Sequence, residues 1–160
     1  MWKLLRLFLV LAVAAALALV VTPVANAQQP TTFVAQLSAE NEIPGCPQGE
    51  ESGATGVAFV SINEASGRIT YRVVAFNLPG TIAGSPGVHI HRGPATGTGP
   101  VVLGLDLTGE NSGVVASGTT VNPTLAAAII ADPANYYVNV HTTECGSGAI
   151  RGQLVPVVIG

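Results

Sequence analysis

Lysine is all but absent from this chain: Lys3 is the only one, as Trp2 is the only tryptophan. Charged residues make up 9% of 160 positions, six basic against nine acidic. So sparse and acidic a charge set excludes a nucleic-acid binder, which needs clustered basic residues. No Gly-x-Ser-x-Gly elbow occurs, so a serine hydrolase is not indicated. The glycine- and proline-rich stretch Gly93 to Pro100 lacks the Lys-Ser/Thr ending and following helix of a phosphate loop. Cysteine is limited to Cys46 and Cys145, and histidine to His89, His91 and His141.

One long apolar run is present, at the amino terminus. Lys3 and Arg6 precede an unbroken apolar stretch from Leu7 to Val21, and Pro23 leads into Ala25-Asn26-Ala27. This is the layout of a secretory signal with a small-residue cleavage site, and it predicts cleavage after Ala27. No cysteine follows that site, so no lipid anchor is expected, and with the signal removed no membrane association either. Residues 28–160 form one domain of 133 residues, enough for a real core. Without the signal, four arginines face nine acids, a net charge of about minus five. In a secreted chain the two cysteines predict one disulfide, Cys46 to Cys145. Thiolate chemistry is not expected in an oxidising compartment.

The rest of the sequence reads as short β-branched or alternating runs between glycine, proline and Asn/Ser clusters, the pattern of an all-β domain. Strands are predicted over residues 33–37, 56–62, 69–76, 88–91, 101–106, 113–121, 136–141 and 149–158. Asn63 to Gly67 has the length and glycine of a hairpin connection. The stretch from Ser38 to Ser52 reads as a loop. Asn122-Pro123 reads as a helix cap and first position, starting one or two turns over Leu125 to Ile130. Pro156 is tolerable only on a sheet edge. About eight antiparallel strands and one short helix suggest a Greek-key β-sandwich or flattened barrel.

Two of the three histidines stand one residue apart in "VHIHRGPATGTGP". Strand alternation puts His89 and His91 on one face, with Ile90 on the other. His141 ends the run Tyr137-Val138-Asn139-Val140-His141 and shares a face with Tyr137 and Asn139. Three neutral imidazoles suit copper, zinc, nickel or another borderline divalent ion, whereas calcium and magnesium prefer oxygen. Along one strand face the first two rings lie about 7 Å apart, so they share an ion only if the strand twists or a third ligand draws them together.

The stretches "SAENEIPG", "GVAFVSINEASGRITYRVVAFNLPG", "GVHIHRGPATGTGPVVLGLDL" and "LAAAIIADPANYYVNVHTTECGSGAIRGQL" together resemble the CHRD domain. That module was first described in chordin and is also found in secreted bacterial proteins. The resemblance spans about Thr32 to Leu154. It implies an extracellular module, but chordin's antagonism of bone morphogenetic proteins does not pass to a stand-alone domain by fold analogy. The order His-x-His, late His, cysteine, short strand is also similar to that of Cu/Zn superoxide dismutases. On that comparison the three histidines match copper ligands, the two cysteines match a loop-tethering disulfide, and the fold is superoxide-dismutase-like. No bridging histidine or zinc loop lies between His91 and His141, so a zinc partner site is not expected.

The acids Glu40, Glu42, Glu50 and Glu51 read as solvated loop charge, since acid-base work needs one carboxyl buried and shifted. Arg151 sits mid-strand and is expected to satisfy loop carbonyls or pair with an acid such as Glu144. Alternatively it binds an anion near the histidine loops. Tyr137, Asn139 and Arg151 are candidates for orienting the histidines. The favoured reading is a secreted transition-metal module with His89, His91 and His141 as ligands and copper preferred over zinc. Two alternatives stand beside it: a non-enzymatic module binding another extracellular protein, and a copper redox enzyme with an open metal position.

Overall fold

The computed structural model describes residues 29–84 and 87–158. The signal segment 1–27 lies outside the described residues. Nine strands form the domain: β1 (Thr31–Ser38), β2 (Thr55–Asn63), β3 (Arg68–Phe76), β4 (Val88–Arg92), β5 (Val101–Gly104), β6 (Gly113–Val121), β7 (Tyr136–Val140), β8 (Ile150–Gln153) and β9 (Val155–Pro156). Two helices join them, α1 (Pro47–Ser52) and α2 (Pro123–Ala131).

All strand pairings are antiparallel, in the order β5-β4-β7-β8-β1-β2-β3-β6, with β9 added against β1. Chain order and spatial order part company at β3 to β4, β5 to β6 and β6 to β7, which are crossings of Greek-key type. The sheet curls so that its β5-β4-β7-β8 half faces its β1-β2-β3-β6 half. The two halves meet at a single register pair, Ser38 with Arg151.

Alternation fills the space between them. Phe33, Ala35 and Leu37 of β1 meet Ala58, Val60 and Ile62 of β2 and Ile69, Tyr71, Val73 and Ala75 of β3. From the other half come Val88, Ile90, Val138, Val140 and Ile150. The hairpin predicted at Asn63 to Gly67 is present, closed by the pair Asn63 and Arg68. Helix α2 begins as expected: the Asn122 side chain accepts from the Leu125 N–H at 3.0 Å, and Leu125, Ala126 and Ile129 pack into the core.

Two segments differ from expectation. The loop from Ser38 to Ser52 carries a 3-10 turn over Ala39–Asn41 and the short helix α1. Helix α1 follows directly on Cys46, which is bonded to Cys145. The last stretch is interrupted at Leu154: β8 pairs with both β7 and β1, and beyond it β9 continues along β1 alone, in the same register. Pro156 has no N–H for a second ladder and accordingly stands on that outer strand. No helix among the described residues is long and apolar enough to cross a membrane.

Candidate metal centre

Strands β4, β7 and β8 are buried on both faces. One face of each enters the core, and the other carries a polar grid under the loops. Register places His89 across from Asn139 and Asn139 across from Arg151; the next row is His91, Tyr137 and Gln153. His141 follows the end of β7, its N–H donating to the Gly87 carbonyl at 2.8 Å.

The three histidines meet. One nitrogen from each lies within 4.8 Å of the others. The His89 and His91 rings are 5.2 Å apart, and the His89 and His141 rings 4.8 Å. An extended strand alone would hold the first pair farther apart. Their strand keeps an unbroken register with β7, while on its other side the β4–β5 register shifts between Ile90 and His91, leaving Val102 of β5 as the extra residue of a bulge that adds twist beside the pair. An ion held about 2.0 to 2.1 Å from each of three nitrogens spaces them roughly 3.4 to 3.6 Å apart, so the widest pair would have to close by about an ångström to hold one.

Backbone carbonyls select which nitrogen is offered. His91 Nδ1 donates to the Gly99 carbonyl at 2.9 Å, and His141 Nδ1 to the Gly146 carbonyl at 3.0 Å. Both rings are therefore assigned the tautomer that leaves Nε2 without a proton, a support common in metal sites. The Nε2 of His141 is buried with no hydrogen-bond partner. His89 presents Nδ1, 3.3 Å from His91 Nε2, and in this arrangement donates to it, so an ion held between the two would have to displace that proton to the far side of the His89 ring or to solvent. Burial holds His91 below the usual imidazole range, against a smaller upward pull from the Gly99 carbonyl, which keeps it in the neutral ligating form. An open pocket of about 280 Å³, lined by Ala83, Gly84, His89, His141, Thr142 and Gly146, connects two of the imidazoles to solvent.

The Gly93 to Pro100 loop closes over His91. Arg151 Nη2 donates to the Pro94 and Gly97 carbonyls at 2.7 and 2.8 Å, and Gln153 Nε2 to the Gly93 carbonyl at 3.0 Å. The Gly99 N–H donates to the Tyr137 hydroxyl at 3.2 Å while the Gly99 carbonyl holds His91. Gly99 has no room for a side chain, because a Cβ there would run into the Arg92 carbonyl. Gly99→Ala is expected to displace that carbonyl and weaken metal binding about tenfold, the usual size of such a support. Competition titration with a chelator of known affinity checks it; unchanged affinity would refute the role given to Gly99.

Tyr137 lies parallel to His91, with centroids 4.7 Å apart and planes 5° from parallel, and the Arg151 guanidinium caps its other face at 3.7 Å. Arg151 thus satisfies loop carbonyls, as expected, and does not turn to Glu144. Asn139 lies centrally in the grid, its Oδ1 buried without a partner.

The reading of Glu42 as solvated charge is overturned: it is 5% exposed, and neither carboxyl oxygen has a hydrogen-bond partner. The cysteine bridge ties its loop to the Cys145 turn, with S–S 1.99 Å, and Glu42 is carried inward with it. Burial raises its pKa to about 8, outweighing the downward pulls of the Arg151 charge and of the Asn139 amide and Ile43 N–H, which lie near the carboxyl without making well-formed hydrogen bonds to it. Sequence reasoning also missed Gly99, Gly146 and Gln153. Only the placing of glycines beside each histidine hinted at the first two.

A three-histidine cluster with supporting carbonyls and a solvent path could hold a transition-metal ion. No curated protein and no solved structure matches the chain. The family model described as CHRD domain matches residues 33–154, nearly all of the described domain. The chain belongs to the CHRD domain family.

Proposed function

We propose that this CHRD domain is a secreted module that binds one copper ion through His89 Nδ1, His91 Nε2 and His141 Nε2. The observation that carries the reading is the meeting of all three histidines of the chain, two with their Nδ1–H groups committed to carbonyls. The orphaned, buried His141 Nε2 supports it, since such an atom calls for a partner. Three nitrogen donors with an open side fit an exchangeable site better than a closed structural zinc site, which takes four protein ligands. Tyr137, Asn139 and Arg151 support the ligands from behind, and the disulfide and the signal-like amino terminus fit an extracellular setting.

The pocket that reaches His89 and His141 has no charged side chain in its lining, and Arg151 is engaged with loop carbonyls behind Tyr137. Among the described residues no charged side chain at the opening draws in an anion, which favours a metal-holding module over a superoxide-consuming enzyme. Copper and zinc titration of the purified protein beside a His89→Ala/His91→Ala variant tests the reading. One-to-one copper binding that the variant loses is expected. Binding equally tight in the variant would place the ion elsewhere and end the proposal.

A further inference from the structure

We infer that the site is built for monovalent copper, with the Arg151–Tyr137–His91 stack setting a preference for Cu(I) over Cu(II) and zinc. The inference rests on the metal-binding reading above and adds the charge state of the ion. Imidazole serves either oxidation state of copper, so donor chemistry does not choose between them. Charge does.

All three donors are neutral, so the ion brings its whole charge into the site. His89 is 9% and His91 8% exposed, and a doubly charged ion there suffers more from lost hydration than a singly charged one. A compensating anion would reverse the preference. Among the described residues the buried polar or charged side chains are Glu42, His89, His91, Asn139, Thr142 and Arg151. Glu42 is the one acid in that set, and its burial keeps it protonated at neutral pH.

The fixed charge of the set is Arg151, 2% exposed and resting on Tyr137 at 3.7 Å. A single aromatic ring separates this guanidinium from the ligand His91, whose ring lies parallel to it at 4.7 Å. Charges with no water between them are weakly screened. The guanidinium therefore opposes the second positive charge of Cu(II) or zinc as strongly as it opposes the first. Its bonds to the Pro94 and Gly97 carbonyls hold it in place, so it cannot swing away when the ion arrives.

The test measures affinities of the purified protein for Cu(I), against bicinchoninate without oxygen, and for Cu(II) and Zn(II), against competing chelators. Wild type is expected to hold Cu(I) more tightly than Cu(II), relative to three imidazoles free in water. Arg151→Met lowers the Cu(I)/Cu(II) affinity ratio about tenfold, a fall of about 59 mV in midpoint potential for a one-electron couple. Arg151 also props a loop, so Arg151→Lys provides the control. It keeps the charge and loses the fork, and it should weaken both affinities while leaving their ratio near wild type. A preference for Cu(II) in wild type, or equal ratios in the Met and Lys variants, overturns the inference while copper binding itself stands. Saturable binding of neither copper state overturns the metal-binding reading and this inference with it.

Discussion

Glu42→Gln is expected to abolish a loss of stability on the order of 5 kcal/mol that wild type suffers as pH rises from about 4.5 to about 8. The carboxyl is 5% exposed, its oxygens are unpartnered, and it lies against Gly148, where a Cβ would come 2.5 Å from Glu42 Oε2. Burial lifts its pKa from 4.5 to about 8 in the folded chain. Below pH 4.5 both folded and unfolded chains hold the proton, and the shift costs nothing. Between 4.5 and 8 the unfolded chain releases it while the folded chain keeps it, so folding weakens by about 1.4 kcal/mol for each pH unit. Above 8 the whole cost is present. Glutamine has nearly the same shape and no proton to release, so the variant matches wild type near pH 4 and exceeds it near pH 9. Chemical denaturation of both proteins across that range reads the difference directly. Parallel curves would mean that Glu42 ionises in the folded chain as it does in water.

Removing the disulfide should cost about as much. Cys46 and Cys145 stand 99 residues apart, and a closed loop of about 100 residues is worth roughly 4 to 5 kcal/mol in the chain-entropy description. The Cys46→Ser/Cys145→Ser variant should unfold at a correspondingly lower guanidinium concentration and with a steeper transition, because the unfolded chain without its cross-link exposes more surface. A local effect is also expected. Cys145 precedes Gly146, whose carbonyl holds His141 Nδ1, and Cys46 anchors the loop that carries Glu42. The variant should therefore hold copper less tightly even under conditions where it remains folded. A loss of less than about 1 kcal/mol would show that the bridge relieves little of the unfolded chain's freedom.

Much of the architecture is readable from alternation alone. Ile69, Tyr71, Val73 and Ala75 point inward in turn because a strand has a period of two, and a half-buried strand must keep its apolar residues on one face. The Asn122-Pro123 helix start is legible because capping chemistry is local. What is not legible depends on distant parts of the chain. The sequence from Ala149 to Val158 carries a continuous strand signal, yet it loses β7 after Gln153 and keeps only β1 as a partner. Helix α1, of sequence Pro-Gln-Gly-Glu-Glu-Ser, has no apolar stripe; its bonded neighbour Cys46 and the close packing of Gly49 against Ala39 and Ala149 tie it to the domain.

The candidate site divides in the same way. Alternation places His89 with His91, and His141 with Tyr137 and Asn139, on like faces. It cannot bring β4 beside β7, and it cannot supply the bulge at Val102 of β5 that lies opposite the histidine pair. The expectation that Arg151 satisfies loop carbonyls follows from its mid-strand position beside turn-rich segments. Its stacking on Tyr137 depends on the β7–β8 register, which no local pattern records. Glu42 is the clearest failure, because its surroundings in sequence are polar and its burial is imposed by a covalent bond four residues on.

The account stands or falls on whether the three histidines share one ion. A crystal of the copper-loaded protein, with diffraction recorded on both sides of the copper absorption edge, locates the metal without reference to any assumed ligand. The prediction is one strong anomalous peak, bonded to His89 Nδ1, His91 Nε2 and His141 Nε2 and open toward Gly84 and Gly146. A peak held by other groups, or fully loaded crystals in which His91 and His141 keep their Nε2 atoms free of metal, would contradict it.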